Sequence, residues 1–240
     1  METIKLTNNS KVRFKPYHYN TFSLNPGHPD EGGTCPHSTL GEGGCREKCY
    51  DKTLKRIYKK YSIVEDKNTE LVLNKSRSKI YKILDKTVSR WEEDQPDSKK
   101  FFRIHTGGDF FNKAYALAWR DTILNHKKVH FWAYTRSLFA VPILADLKNI
   151  TLYLSCDPVN MDKVLEVYKD YKKRKNIGVA WMGNTLPDNF PKDRFTLVCP
   201  EVTGKLKNNG DVGACSRCRA CINRYAKNNK IRHIQFPIHR

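Results

Sequence analysis

The sequence predicts an α/β protein built from parallel βα units, and three observations predict it. Short apolar or β-branched runs recur at Phe101 to His105, Val129 to Tyr134, Thr151 to Ser155, Ile177 to Met182 and Phe195 to Val198. Patterns of helical period lie between them. Residues that carry chemistry follow the ends of these runs, where α/β sheets place their sites. A length of 240 residues suits one core of this kind.

A candidate first strand, Lys11 to Lys15, leads into a loop punctuated by Pro26, Gly27, Pro29, Gly32, Gly33, Pro36, Gly41, Gly43 and Gly44, which excludes regular structure there. Cys49 then opens a helical segment, Tyr50 to Tyr61, in which Leu54, Ile57, Tyr58 and Tyr61 repeat at helical spacing. A second helix puts Ile80, Ile83, Leu84, Val88 and Trp91 on one face, with Lys75, Lys79, Lys82 and Lys86 on the others. From residue 101 the runs read as buried strands, because strands covered on both faces lose the polar alternation. The helical stretches between them carry Tyr115, Ala118, Trp119 and Ile123, then Val141, Leu144 and Leu147, then Val164, Leu165, Tyr168 and Tyr171. Six strands are expected in all. A six-stranded open barrel and a doubly wound sheet both fit that alternation.

Either arrangement brings the strand ends to one rim. The early cysteines would follow the first strand, Gly107-Gly108-Asp109 the second, Thr135-Arg136-Ser137 the third, Cys156-Asp157 the fourth and Cys199-Pro200 the last. Residues 1–198 read as the βα unit. Residues 199–240 read as a basic, Cys-rich extension packed on it, and from Gly204 onward no strand–helix alternation is expected. No run approaches the roughly 20 apolar residues that span a bilayer. The polar start, Met1 to Asn9, lacks the apolar core of a secretory signal, so a soluble cytoplasmic protein is expected.

In that compartment eight cysteines favour metal binding or catalysis over disulfides. Cys35, Cys45 and Cys49 form an early group and Cys215, Cys218 and Cys221 a late one, while Cys156 reads as a buried core thiol. The run Cys215-x2-Cys218-x2-Cys221 can wrap three corners of an iron–sulfur cube. The distant ligand of bacterial ferredoxin runs is followed by proline, and Cys199-Pro200 has that form. Ligand geometry favours iron–sulfur over zinc, since zinc ribbons pair two C-x2-C knuckles. Three cysteines in the early group would leave one iron of a [4Fe-4S] cluster open to a substrate or cofactor. Alternatively Cys156, His37 or His105 closes that site as a structural centre. His105 and Trp119 otherwise read as packing, Arg136 as a clamp for an anion or a structural ion pair, and Lys172, Lys173, Arg174 and Lys175 as complements to a helix dipole.

Three features coincide: a cysteine triad after the first strand with an aromatic beside its last member, a Gly-Gly-acid turn after the second strand, and six βα units. Together they resemble the radical S-adenosylmethionine superfamily. That resemblance implies a partial (β/α)6 barrel with a Cys-rich C-terminal extension. It implies a cluster on Cys35, Cys45 and Cys49, and a turn of Gly107, Gly108 and Asp109 that meets the methionyl amino group of S-adenosylmethionine. It also implies an auxiliary cluster on Cys199, Cys215, Cys218 and Cys221, and an electron donor. Two departures stand out: nine and three residues separate the triad where the superfamily has three and two, and Asp109 replaces glutamate.

More narrowly, the Cys-Pro loop, the Cys49-Tyr50 pair, Arg103 to Phe110, Trp119 and Tyr134-Thr135 resemble the phage gene-product-eighty-eight family over most of the chain. That family implies residence in a host cytoplasm and brings no established activity.

Charge points to a partner. Lys and Arg number 44 against 25 Asp and Glu, a formal net charge of +19, with pI near 9.6. Such a surface favours polyanions, nucleic acid first, because neutralised phosphates release counterions. Lys205, Lys207, Arg217, Arg219, Arg224, Lys227, Lys230 and Arg232 surround the late cysteines, and Tyr225 and His233, if exposed, can stack on bases. Two functions follow as expectations: an iron–sulfur enzyme of radical type acting on nucleic acid or something linked to it, and a non-catalytic iron–sulfur or zinc protein that binds nucleic acid.

Overall fold

Alternate residues of each buried strand go to opposite faces of one sheet, and this division organises the molecule. A computed structural model describes residues 2–7, 11, 18–94, 99–210, 212–222 and 232–238. Its strands are β1 (His18–Thr21), β2 (Lys100–Ile104), β3 (Val129–Thr135), β4 (Ile150–Cys156), β5 (Ile177–Met182), β6 (Thr196–Val198) and β7 (His233–Phe236). They form a single sheet in the order β1-β2-β3-β4-β5-β7-β6, and every pair is parallel.

The helices are α1 (Tyr50–Ile57), α2 (Lys59–Val72), α3 (Arg77–Glu93), α4 (Lys113–Asn125), α5 (Val141–Leu144), α6 (Met161–Tyr171) and α7 (Ala214–Cys218). From β1 to β5 the strand order never reverses. Right-handed crossovers that always step the same way stack their helices on one face, whereas a doubly wound sheet needs a reversal. The packing agrees with single winding. Phe102, Ile104, Phe131, Ala133, Leu152, Leu154, Ile177 and Val179 share a core with Ile80, Leu84 and Val88 of α3, Tyr115 and Trp119 of α4, and Val164 of α6. The intervening residues Phe101, Trp132, Tyr153 and Ala180 face the other way, onto the segment that carries the late cysteines.

Three expectations need correction. The doubly wound alternative is excluded by the order of β1 to β5. The first strand is His18–Thr21, while residues 12–15 of the expected Lys11 to Lys15 strand lie outside the described residues. The tail is no mere appendage, for β7 lies between β5 and β6. Its short His-Ile-Gln-Phe run, with polar Gln235 buried by bonds to the Gly183 and Asn184 carbonyls, gave too little apolar signal for a strand. The early helix also breaks at Tyr58, and Ile57 and Tyr58 are exposed, so its repeat marks no core face. Among the described residues no helix is long and apolar enough to cross a membrane.

Two features anchor the fold near its rim. Phe102 is fully buried, with ring centroids of Trp91, Phe131, Trp119 and Phe22 at 5.2 to 6.2 Å. Beneath the exit of β1, Asp51 of α1 and Glu65 of α2 form a buried carboxyl pair. The Tyr61 hydroxyl donates to Asp51 Oδ1 at 2.7 Å and meets Ser23 Oγ at 2.7 Å. Burial, and then the neighbouring Asp51 charge, push the Glu65 carboxyl up to about 9, so the pair holds a proton at neutral pH.

Truncating Phe102 to alanine is expected to cost about 3–5 kcal/mol in chemical denaturation. The Glu65 contribution has a definite sign. Its folded pKa is raised above the ordinary 4.5, so its stabilisation is complete below that value and is lost as pH climbs toward about 9. Glu65→Gln, which keeps the shape without the acid, is therefore expected to flatten the fall in urea stability between pH 5 and pH 9. An equally steep fall in the variant would refute the shared-proton account.

Candidate functional site

Because the strands are parallel, their C-terminal ends meet at one edge, and the rim expected from sequence forms there. The early cysteine loop is fastened to it by backbone and buried charge. Leu24 N donates to Gly107 O at 3.0 Å and Thr106 N to Phe22 O at 2.8 Å, which ties the exit of β1 to the turn after β2. Cys35 N donates to Gly27 O at 2.8 Å. Thr39 Oγ1 donates to Asp157 Oδ2 at 2.5 Å, and Cys45 N reaches the same oxygen at 3.1 Å.

Asp157, fully buried after β4, also accepts from Val159 N and Asn160 N and pairs with Arg136 at 2.7 Å. Of the two readings of Arg136, the structural ion pair is the one present.

The turn Gly107-Gly108-Asp109 is packed from every side. A Cβ on Gly107 would collide with the Asp51 carboxylate, and one on Gly108, whose φ is +84°, would sit 2.6 Å from Thr34 Oγ1. Only glycine lets the early loop and α1 approach so closely. Asp109 is buried and bound internally: Oδ1 accepts from Phe110 N at 2.7 Å and Thr135 Oγ1 at 2.6 Å, and Oδ2 from Arg136 N at 2.8 Å. Burial raises its pKa and these donors oppose the rise.

Cys35, Cys45 and Cys49 are brought within electrostatic reach of one another. Burial pushes the Cys35 thiol up, and Asp109, Cys49 and Cys45 push it further. Cys49 is the N-cap of α1 and is raised by burial, with Asp51 and Cys45 adding to the rise. In the late group Cys215 and Cys218 lie on α7, Arg219 turns the chain with φ +56°, and Cys221 follows against the sheet. Burial pushes the Cys215 thiol up to about 11, with Arg103 opposing and Cys199 adding. Cys221 is raised by burial and by Cys215, Cys199 and Cys218 together, so the four late thiols share one neighbourhood. Cys199 N is held by Gln235 O at 2.8 Å, which links the fourth thiol to β7. All eight cysteines are free thiols. Among the described residues no three His, Cys, Asp or Glu side chains stand close enough together to hold a single metal ion.

Other residues settle as packing. Cys156 is fully buried in the helix-side core and its pKa is shifted by burial, Arg136, Asp157 and Asp162 rather than by any thiol. His105 bonds Tyr115 at 2.8 Å through Nε2, and Trp119 is in the same core. His37 is exposed beside the Phe139 ring at 5.8 Å. The expectation that His233 stacks on bases is overturned: it is fully buried, accepting from Val179 N and bonding Asp193. Arg224, Tyr225, Lys227 and Lys230 lie outside the described residues. Lys205, Lys207, Arg217 and Arg232 are exposed.

Sequence reasoning assigned no role to Arg103, Tyr134, Asp51 or Glu65. Period-two alternation was the usable signal for the first two, since residues 103 and 134 fall on the face opposite the apolar core.

The sequence model of the family described as Gene product 88 matches residues 2–224, a span that includes both cysteine groups. The Gene 88 protein of Mycobacterium phage D29 is 32% identical over 199 residues, covering 80% of each chain. The Gene 88 protein of Mycobacterium phage L5 is 33% identical over 198 residues, again covering 80% of each. No solved structure matches the chain. By the span of the family match and the identity to both phage proteins, the chain belongs to the gene product 88 family.

Proposed function

We propose that this chain is a redox-active iron–sulfur protein with two thiolate centres, working in the host cytoplasm. One observation carries the reading: seven of the eight cysteines fall into two neighbourhoods, a triad at the rim and a foursome on the inner face, while Cys156 is set apart in the core. Packing gives no reason for thiols to gather where each raises the pKa of the next. A metal gives one, because it binds thiolates and displaces their protons. The donor sets fit clusters better than zinc. Zinc ribbons pair two C-x2-C knuckles, whereas the single run Cys215-x2-Cys218-x2-Cys221 offers three thiolates that a cubane can take on separate irons.

The late centre would take Cys199, Cys215, Cys218 and Cys221 and be closed. The early centre would take Cys35, Cys45 and Cys49, leaving one iron for an outside ligand. We read the singly wound sheet as the open partial barrel of the radical S-adenosylmethionine superfamily, with β7 added. Asp109 does not fit the part that likeness gives it. It is 5% exposed and three internal donors already occupy its oxygens, so it is not available to an incoming ammonium. Its role is to lock the turn after β2 onto the end of β3.

The second reading, nucleic-acid binding, is favoured by the exposed cations Lys205, Lys207 and Arg217 around the late thiols. It is compatible with the first. The basic face would bring phosphates beside the late centre, whose own negative charge those cations also offset.

Anaerobic isolation, with iron, acid-labile sulfide and zinc counted per chain, tests the main reading. About eight iron and eight sulfide are expected for two cubanes. Cys35→Ser and Cys218→Ser should each remove roughly half of that, and the paramagnetic signals they abolish should differ. Zinc in place of iron, or iron without sulfide, would overturn the assignment. For the second reading, binding to duplex DNA or RNA should weaken steeply with salt, and a double Lys205→Glu, Lys207→Glu variant should lower the salt slope. Binding that is insensitive to salt would discard it.

A further inference from the structure

An exposed apolar patch ringed by cations lies where α1 turns into α2. Tyr58 ends α1 as its C-cap and opens α2 as its N-cap, with φ −111° and ψ 92°, so the chain makes a corner there. The corner is fixed from within. Tyr58 N donates to Leu54 O at 2.8 Å and Ser62 N to Tyr58 O at 3.1 Å. Lys55 Nζ of α1 pairs with Asp66 Oδ1 of α2 at 2.7 Å, and Tyr61 is held by Asp51 and Ser23. Helix α2 buries Glu65, Asn68, Thr69 and Val72. Helical spacing then turns Lys59, Lys60, Ile63 and Lys67 to the opposite face, where all four are exposed.

Ile57, Tyr58 and Ile63 are 58%, 57% and 53% exposed. Apolar residues scattered singly over a surface need no explanation, but a group of them on one rigid corner does. The charges around them have one sign. Arg56, Lys59, Lys60 and Lys67 are exposed, and none is in an ion pair among the described residues. Of the nearby acids, Asp66 is taken by Lys55 and Glu65 is buried, while Glu70, three positions past Lys67, is the exposed acid on this face of α2.

We propose that this corner docks on a lipid bilayer with anionic head groups, with Ile57, Tyr58 and Ile63 entering the interface and Arg56, Lys59, Lys60 and Lys67 meeting lipid phosphates. Charge selects the partner first. A ring of cations repels a second copy of this chain and attracts an anionic surface, where each Lys or Arg strengthens binding by about fivefold. The apolar centre then separates a bilayer from nucleic acid. Bases stack on aromatic faces, which Tyr58 has and the two isoleucines lack, whereas the boundary between head groups and acyl chains takes aliphatic side chains and tyrosine alike. Lysine stems lie along that boundary with their ammonium groups in the head-group layer. Attachment of this kind is peripheral and needs no spanning helix. It is also independent of the cysteines and of any metal.

The test is co-sedimentation of the full chain with vesicles of phosphatidylcholine alone or mixed with phosphatidylglycerol, at physiological salt. Binding to the mixed vesicles is expected, with little to the neutral ones. Ile57→Ser combined with Ile63→Ser leaves every charge in place and should weaken binding roughly tenfold. Lys59→Glu combined with Lys60→Glu should weaken it by at least about tenfold, while the same reversal at exposed Lys127 and Lys128 should change it little. Tyr58→Trp supplies a second reading, because the four native tryptophans are buried: emission from position 58 should be quenched by brominated lipid. A wild-type chain that ignores anionic vesicles, an isoleucine variant that binds them as tightly as wild type, or an unquenched Tyr58→Trp would each overturn the proposal. Corner variants that lose RNA or duplex DNA and keep the vesicles would also overturn it, and would assign the corner to nucleic acid.

Discussion

A wholly parallel sheet has one chemical edge, and the rest of the molecule depends on that constraint. Every strand of this chain runs the same way, so the loops after β1, β2, β3, β4 and β6 emerge together. Residues more than 100 positions apart, such as Thr39 and Asp157, then stand together without long excursions of the backbone. Single winding adds a second constraint. With the helices on one side, the other face is left without a helical cover, and the sequence supplies a different cover there, the segment Ala214–Cys218 and the turn that follows it. A thiol-bearing segment laid on an aromatic layer is the environment of the late cysteines.

The rim is held by buried charge more than by apolar contact. Asp157 and Asp109 each collect donors from several loops, and Arg136 joins them, since its backbone serves Asp109 and its guanidinium pairs with Asp157. Such networks stabilise only when each member is satisfied, and removing one leaves the others buried without partners. The early cysteines therefore sit on a frame with one arrangement. The same economy of position explains Gly107 and Gly108. Their missing side chains admit Asp51 and Thr34, so the glycine pair reads as a packing device.

Much of this was legible before any coordinates, and the exceptions have physical causes. The strands β2 to β5 and helices α3, α4 and α6 were readable because each buries a long apolar face with one clear period. The late strand β7 was not, because its apolar signal is two residues wide and its stabilisation comes from pairing with strands distant in sequence. Cys156 read as a core thiol because an isolated free cysteine is commonly buried, with a place in the early site left open, and the structure sets it in the helix-side core. The use of Asp109 was not. A carboxylate following two glycines looks alike whether it faces a ligand or the protein, and only the positions of Phe110 N, Thr135 Oγ1 and Arg136 N distinguish the cases. His233 misled for a related reason, since a basic neighbourhood in sequence hides a histidine that a parallel strand carries into the core.

The position of β7 bears on how the late thiols would stay together without metal. Cys199 hangs from β6 and its backbone is bonded to Gln235 of β7, while Cys215, Cys218 and Cys221 belong to the connection between those two adjacent strands. Both ends of the loop are thus anchored on neighbouring strands of the sheet, and closing it costs chain entropy that pairing of β6 with β7 offsets. Inside the loop, burial first and neighbouring thiols second raise the pKa of Cys199, Cys215 and Cys221, which keeps these three protonated and uncharged. Pairing of β6 with β7 thus bears the cost of ordering the loop that carries these thiols.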